Sequence, residues 1–235
     1  MNLNVKLFAD GADKDGMLEM YANPLISGFT TNPTLMKVAG VDNYKSFAQD
    51  ILAHINDKPI SFEVFSDDFI EMETQGLEIA TWGKNVNVKI PITNTKAESS
   101  VKLIDNLSNQ GVSLNVTAMM TADQVRSVLP ALSNGPGGYV SVFAGRIADA
   151  GFDPLPVMSE VVNILRDYPN IELIWASPRE FYNVVQADNI GCHIKTATNN
   201  ILKKLPTLGK NLDQFSLETV QMFYDDAKNA DYTLI

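Results

Sequence analysis

Val86-Asn87-Val88-Lys89-Ile90-Pro91-Ile92 is almost unbroken in its apolar, β-branched character, which marks a strand covered on both faces. Strands of that kind belong to parallel sheets flanked by helices. Parity puts Val86, Val88, Ile90 and Ile92 on one face and Lys89 on the other. A buried ammonium is costly unless it is paired or gives up its proton, and an unprotonated amine is a nucleophile suited to Schiff-base chemistry on a carbonyl. The competing reading is a lysine whose stem lies along the strand while its amine reaches water.

Similar runs recur on both sides of this one. Val5 to Ala9, Gly28 to Thr31, Ile60 to Phe65, Ser113 to Ala118, Tyr139 to Ala144, Ile171 to Ala176 and Cys192 to Ala197 read as strands. Longer amphipathic stretches lie between them, among them Lys96 to Gln110, Ala122 to Leu132 and Leu155 to Asp167. Eight β/α units in one chain predict an α/β fold, either a closed (β/α)8 TIM barrel, typically of ~250 residues, or an open doubly wound sheet. The count of eight favours the barrel, placed over residues 1–212.

Residues 213–235 stand outside that count. Asp213 to Asn229 reads as a helix with Ser216 as its N-cap and Phe215, Leu217, Val220, Phe223 and Tyr224 as its apolar stripe. It is expected either to fold back on its own barrel or to form an arm on a neighbouring subunit.

Composition narrows the function. Of 235 residues 45% are hydrophobic and 20% charged, which suits one large domain. Ser133-Asn134-Gly135-Pro136-Gly137-Gly138 lacks a following lysine and leads into a strand, so it is a connecting turn and not a phosphate loop. A formal net charge of −10 with four arginines argues against nucleic-acid and anionic-membrane partners. The first residues show no cationic segment followed by an apolar run, and no stretch is long enough to span a bilayer, so a cytoplasmic location is expected. A single cysteine, Cys192, forms no internal disulfide, and His54 and His193 lie in no metal-ligand spacing. No metal and no cofactor are expected.

Parity applied to the other strands brings a polar residue to the C-terminal end of nearly every one: Asp10, Asn32, Glu63, Asn115 with Thr117, Ser141 and Ser177. Barrel active sites lie at that end. Seven polar groups around a lysine would be a costly way to stabilise a core, because each gives up an apolar contact and needs a hydrogen-bond partner.

These residues carry a specific resemblance. Leu7-Phe8-Ala9-Asp10, Thr30-Thr31-Asn32-Pro33-Thr34, Val88-Lys89-Ile90-Pro91-Ile92-Thr93, Asn115-Val116-Thr117, Val140-Ser141-Val142-Phe143-Ala144-Gly145-Arg146-Ile147 and Ala176-Ser177-Pro178-Arg179 resemble, in order, the transaldolase family, and in compact length its small transaldolases and fructose-6-phosphate aldolases. The resemblance implies a homo-oligomer, a pentamer or decamer, acting on sugar phosphates. It implies Lys89 as the Schiff-base lysine, Glu63 and Thr117 as holders of the water that shuttles protons, and Asp10 as the acid/base at the C4 hydroxyl. Asn32 and Asn115 would orient substrate hydroxyls, and Arg146, Arg179 and Ser177 would grip the phosphate, with Ser141 and Phe143 completing the substrate site.

Three functions follow for comparison. One is transfer of a dihydroxyacetone unit from a ketose phosphate to an aldose phosphate; another is an aldolase releasing free dihydroxyacetone. The third is a non-catalytic sugar-phosphate-binding barrel, which would need neither a nucleophile nor a proton relay. By resemblance transaldolases carry Glu and Phe where this chain has Glu63 and Phe143, and fructose-6-phosphate aldolases carry Gln and Tyr. The arginines have structural alternatives: Arg146 could pair with Asp149, and Arg179 with Glu180. Lys195 departs from the family pattern. Facing inward it would set a second cation near Lys89, and facing outward it would reach solvent.

Overall fold

The eight apolar runs close into a barrel of eight parallel strands, each hydrogen-bonded to its neighbours in sequence order and the last to the first. The structure is a computed structural model describing residues 3–230 and 232–233. Met1 and Asn2 of the N-terminal segment, and Asp231, Leu234 and Ile235 of the terminal arm, lie outside the described residues.

The strands are β1 (Lys6–Asp10), β2 (Ile26–Thr30), β3 (Ile60–Glu63), β4 (Val86–Pro91), β5 (Leu114–Met119), β6 (Gly138–Val142), β7 (Ile171–Trp175) and β8 (Ile194–Thr198). Helices α1 (Lys14–Ala22), α2 (Pro33–Val38), α3 (Tyr44–His54), α4 (Phe69–Ala80), α5 (Val101–Asn109), α6 (Ala122–Leu132), α7 (Ala144–Asp149), α8 (Leu155–Ile164), α9 (Tyr182–Asn189) and α10 (Asn199–Leu202) follow the strands, and α11 (Leu212–Asn229) ends the series. Two crossovers carry a pair of helices, α2 with α3 and α7 with α8.

Alternation along each strand builds two layers. Phe62, Val88, Ile90 and Trp175 point outward and are fully buried beneath the helices. The opposite parity fills the lumen, and it does so unevenly. Phe8, Ile174 and Ile194 form an apolar cluster with Tyr139 and Phe143 against it, the Phe8 and Tyr139 rings meeting edge to face at 5.8 Å. Gly28 makes room for it, since a Cβ there would lie 2.6 Å from the Phe8 ring. Across the lumen Ser61, Asn115 and Ser141 form a hydrogen-bonded chain, Ser141 donating to Asn115 Oδ1 at 2.7 Å and Asn115 Nδ2 to Ser61 at 3.1 Å.

Several local expectations need correction. The helix expected from Lys96 starts only at Val101. Asn94 Oδ1 accepts the amides of Lys96 and Glu98, Ala97 turns left-handed at φ 61°, and Thr93 bridges Ser99. Side-chain capture of these amides replaces the first helical turn with a short hairpin. The expected helix to Asp167 ends at Ile164 and tightens into a 3-10 turn over Leu165–Asp167. The turn at 133–138 does lead into a strand, with Gly137 and Gly138 at φ +85° and +143°.

The terminal helix is capped by Asn211, whose Oδ1 accepts from Gln214 N at 3.0 Å, not by Ser216, which lies inside it. None of its residues is buried, and Leu217, Val220, Phe223 and Tyr224 are each more than 60% exposed. It therefore does not fold back over its own barrel.

Lys195 fits neither alternative posed for it. Its neighbour Thr196 faces the lumen, so Lys195 faces the helix layer, yet it is fully buried, donating to the carbonyls of Thr196 at 2.8 Å and Trp175 at 3.3 Å. Burial brings its pKa down to about 7, partly offset by Cys192 and Asp10.

Candidate active site

The C-terminal ends of the strands surround a cavity of about 570 Å³ lined by Asp10, Thr30, Asn32, Glu63, Lys89, Thr117, Ser141, Phe143, Arg146, Ser177, Arg179, Thr196 and Thr198 among others. A larger groove of about 950 Å³ runs along the N-terminal ends of β1 and β2. Its ionisable side chains, Lys6, Glu19 and Lys203, are all exposed, so the chemistry belongs to the smaller cavity.

Lys89 is 5% exposed. Its amine donates to the Thr31 carbonyl at 2.7 Å and pairs with Glu63 Oε2 at 3.0 Å. Glu63 ends the adjacent strand β3 and Thr31 directly follows β2, one strand further round the barrel, so the amine is held at a fixed height by the strand ends. Thr117, two residues beyond the register partner of Lys89 on β5, is buried and its hydroxyl has no partner among the described residues, leaving it able to hold a water or a substrate atom.

Asp10 accepts from the Thr30 hydroxyl at 2.8 Å, and Thr30 lies 2.7 Å from Thr196. Because the Thr30 proton points at Asp10, Thr196 donates to Thr30. Burial raises the Asp10 pKa above the ordinary carboxylate range, with Glu63 adding to the rise and Lys89, Thr30 and Lys195 opposing it. A carboxyl so placed exchanges protons nearer neutrality than a solvated aspartate would.

Where the loops after β6 and β7 border the cavity, the two arginines differ. Arg179 donates through Nε to Asp149 Oδ1 at 2.7 Å and through Nη2 to Asp149 Oδ2, and its Nη1 reaches Ser177 O, Ser177 Oγ and Pro178 O at 3.2, 3.1 and 3.0 Å. Asp149 is thus the partner of Arg179, whereas the alternatives were Arg146 with Asp149 and Glu180 with Arg179. Arg146 is exposed on α7, and its guanidinium forms no hydrogen bond or ion pair within the described residues. Ser177 is left-handed at φ 59°, and its carbonyl sits where a Cβ on Gly145 would be, 1.7 Å away. Ala118, beside Thr117, is also left-handed at φ 63°, and backbone strain of this kind concentrates at functional sites.

The expected site residues converge, with one displaced. Asn115 does not line the cavity: it is fully buried below the floor, its amide engaged by Ser61 and Ser141. Asn32 reaches the cavity while its Oδ1 caps α2 by accepting from Leu35 N at 2.9 Å. Missed from sequence were Thr30, Thr196 and Thr198, which strand parity would have found, and the pairing of Asp149 with Arg179, which only the folded loops create. Cys192 is buried, and burial pushes its thiol up to about 12, which makes it inert as a nucleophile.

The model of the transaldolase/fructose-6-phosphate aldolase family matches residues 7–234. The chain belongs to the transaldolase/fructose-6-phosphate aldolase family. A protein named "Probable transaldolase" from Dehalococcoides mccartyi is 34% identical over 86% of this chain and 90% of its own length. Another of the same name from Thermoanaerobacter sp. is 36% identical over 86% and 89%. A solved structure described as QR15, an aldolase, superposes with a TM-score of 0.57 over 87% of this chain and 97% of its own, at 10% identity, a likeness of fold alone. For a member of the transaldolase/fructose-6-phosphate aldolase family, the lysine, the two carboxylates and the two arginines share one cavity. No helix among the described residues is long and apolar enough to cross a membrane.

Proposed function

We propose that the chain transfers a dihydroxyacetone unit from a ketose phosphate, fructose 6-phosphate or sedoheptulose 7-phosphate, to an aldose phosphate through an imine on Lys89. The observation that carries this reading is the buried Lys89–Glu63 pair facing Asp10 across the same cavity. A sugar-binding barrel would gain nothing from a sequestered amine beside a proton acceptor.

The lysine amine attacks the substrate ketone at C2, and the carbinolamine loses water as Glu63, with a water held by Thr117, moves the protons. Asp10 then takes the C4 hydroxyl proton, the C3–C4 bond breaks, and its electrons pass into the protonated imine to give an enamine. An aldose leaves. An acceptor aldehyde reverses these steps, its oxygen receiving the proton from Asp10, and hydrolysis frees Lys89.

The partition between transferase and aldolase rests on Phe143, which lines the cavity and lies against the Phe8 cluster. Phenylalanine offers no donor to a water attacking the intermediate, whereas tyrosine would. The deciding experiment is a product assay with fructose 6-phosphate, with and without erythrose 4-phosphate. The wild type is expected to release little dihydroxyacetone to water, and Phe143→Tyr to release more. Rapid release that added acceptor does not diminish would establish the aldolase instead.

Phosphate recognition is expected to fall chiefly on Arg146, whose guanidinium is uncommitted, with Arg179 bracing the Ser177 loop. Arg146→Ala should raise KM for phosphorylated substrates by a charge-assisted contact of roughly 1.5–3 kcal/mol and leave unphosphorylated ones nearly unchanged. Arg179→Ala should weaken both classes. A purely phosphate-selective loss at Arg179, with none at Arg146, reverses these roles.

We read α11 as an arm for a second copy of the chain, supported by its apolar stripe, of which no residue is buried. Truncation before Asp213 should lower the mass measured by light scattering, and an unchanged mass would exclude that role.

A further inference from the structure

The gap between β2 and β3 is built around a residue with no place in the scheme above. Their pairing covers only Phe29 with Ile60 and Thr30 with Ser61, closing with Thr31 N donating to Ser61 O at 3.2 Å. A parallel ladder continued from there would take the Glu63 N–H to the Thr31 carbonyl, and the N–H of residue 33 to the Glu63 carbonyl. Residue 33 is a proline, which has no N–H and starts α2, so β2 peels away at this point.

Both freed positions find other partners. The Thr31 carbonyl accepts the Lys89 amine at 2.7 Å. The Tyr44 hydroxyl, from the first residue of α3, enters the gap and bonds both backbone groups of Glu63, accepting from its N–H at 2.7 Å and donating to its carbonyl at 2.8 Å. One phenol thereby replaces two missing ladder bonds. Its ring is wedged against Phe62, Phe65 and Trp82, with centroids 6.2, 5.6 and 5.8 Å away.

We infer that Tyr44 is a positioning residue for the imine-forming step: it fixes the backbone of Glu63, and with it the carboxylate paired to Lys89. The inference rests on the imine reading of Lys89. Its geometry is economical, because the same divergence that gives Lys89 a backbone acceptor would leave Glu63 loose at the strand end without the phenol. A strand end held at both its N–H and its C=O presents its side chain at a set angle, and displacement of a reacting group by about 1 Å can cost on the order of 10²-fold in rate.

Tyr44→Phe keeps the ring contacts and removes only the hydroxyl. Borohydride trapping of Lys89 with fructose 6-phosphate, expressed per folded molecule by circular dichroism, should slow by about 10- to 100-fold. The KM for the sugar phosphate should stay near the wild-type value. In a Glu63→Gln background, where the carboxylate is already gone, the same Tyr44→Phe change should have little further effect, since residues acting through one group are not additive. Trapping at the wild-type rate, or an equal loss in both backgrounds, would overturn the role of Tyr44. Failure of the wild type to form any Lys89 adduct would overturn the imine reading and the Tyr44 role with it.

Discussion

Lys89→Ala is expected to abolish turnover, a loss on the order of 10⁴-fold or more, and to abolish the borohydride-stable adduct formed with fructose 6-phosphate. In the wild type the added mass should correspond to a dihydroxyacetone-derived unit and map to Lys89 by peptide mass spectrometry. The size of the effect follows from the cavity: its amine is buried between the Thr31 carbonyl and Glu63, and no other lysine lines the site. Lys195 is the built-in control, a second buried amine on the outer face of the sheet. An adduct on Lys195, or undiminished turnover by Lys89→Ala, would remove the Schiff-base assignment.

Lys195 itself is expected to weaken the fold, and in a pH-dependent way. An unfolded lysine titrates near ~10.4, while burial holds Lys195 at about 7 in the fold. Between these values the unfolded chain binds a proton that the folded chain has given up, so stability rises with pH across that interval. The penalty is largest below about pH 7 and vanishes above the unfolded value, with a full span of order 4 kcal/mol. Lys195→Met keeps the volume and removes the titration. It should melt well above the wild type at pH 6, with the gap closing towards pH 10. A melting difference independent of pH, or a less stable variant at pH 6, would show that the amine is held by its two carbonyl bonds at no net cost.

The barrel was legible because its strands are covered on both sides and so lack polar interruption; eight such runs leave few other architectures. The reactive lysine was legible for the same reason, since in Val86–Ile92 a charge stands out against its neighbours. What escaped reading required the third dimension. Lys195 sits in a run broken by His193 and Thr196, where a charge stands out less, and parity alone does not tell a lysine under helices from one that reaches water. Asn115 shares the parity of Thr117 but lies one layer lower, where it supports Ser141 and does not touch the cavity. The hairpin at 93–99 depends on Asn94 competing for backbone amides, a contest that amphipathic periodicity does not register. Tyr44 looks like an ordinary helix residue until Pro33 is seen to leave the strand beside it unpaired.

The contact between Gly145 and Ser177 bears on any attempt to retune this protein for new substrates. With the Ser177 carbonyl already occupying the Cβ position of residue 145, a saturation library there would consist almost wholly of broken loops. Position 177 is narrower still in backbone terms, because its left-handed conformation suits glycine and asparagine and penalises branched residues. Ala148, on the same short helix and exposed, carries neither constraint. Substitution at the arginine end of the cavity is therefore hemmed in by backbone at 145 and 177, while the tolerant position a single turn along α7, Ala148, does not line the cavity.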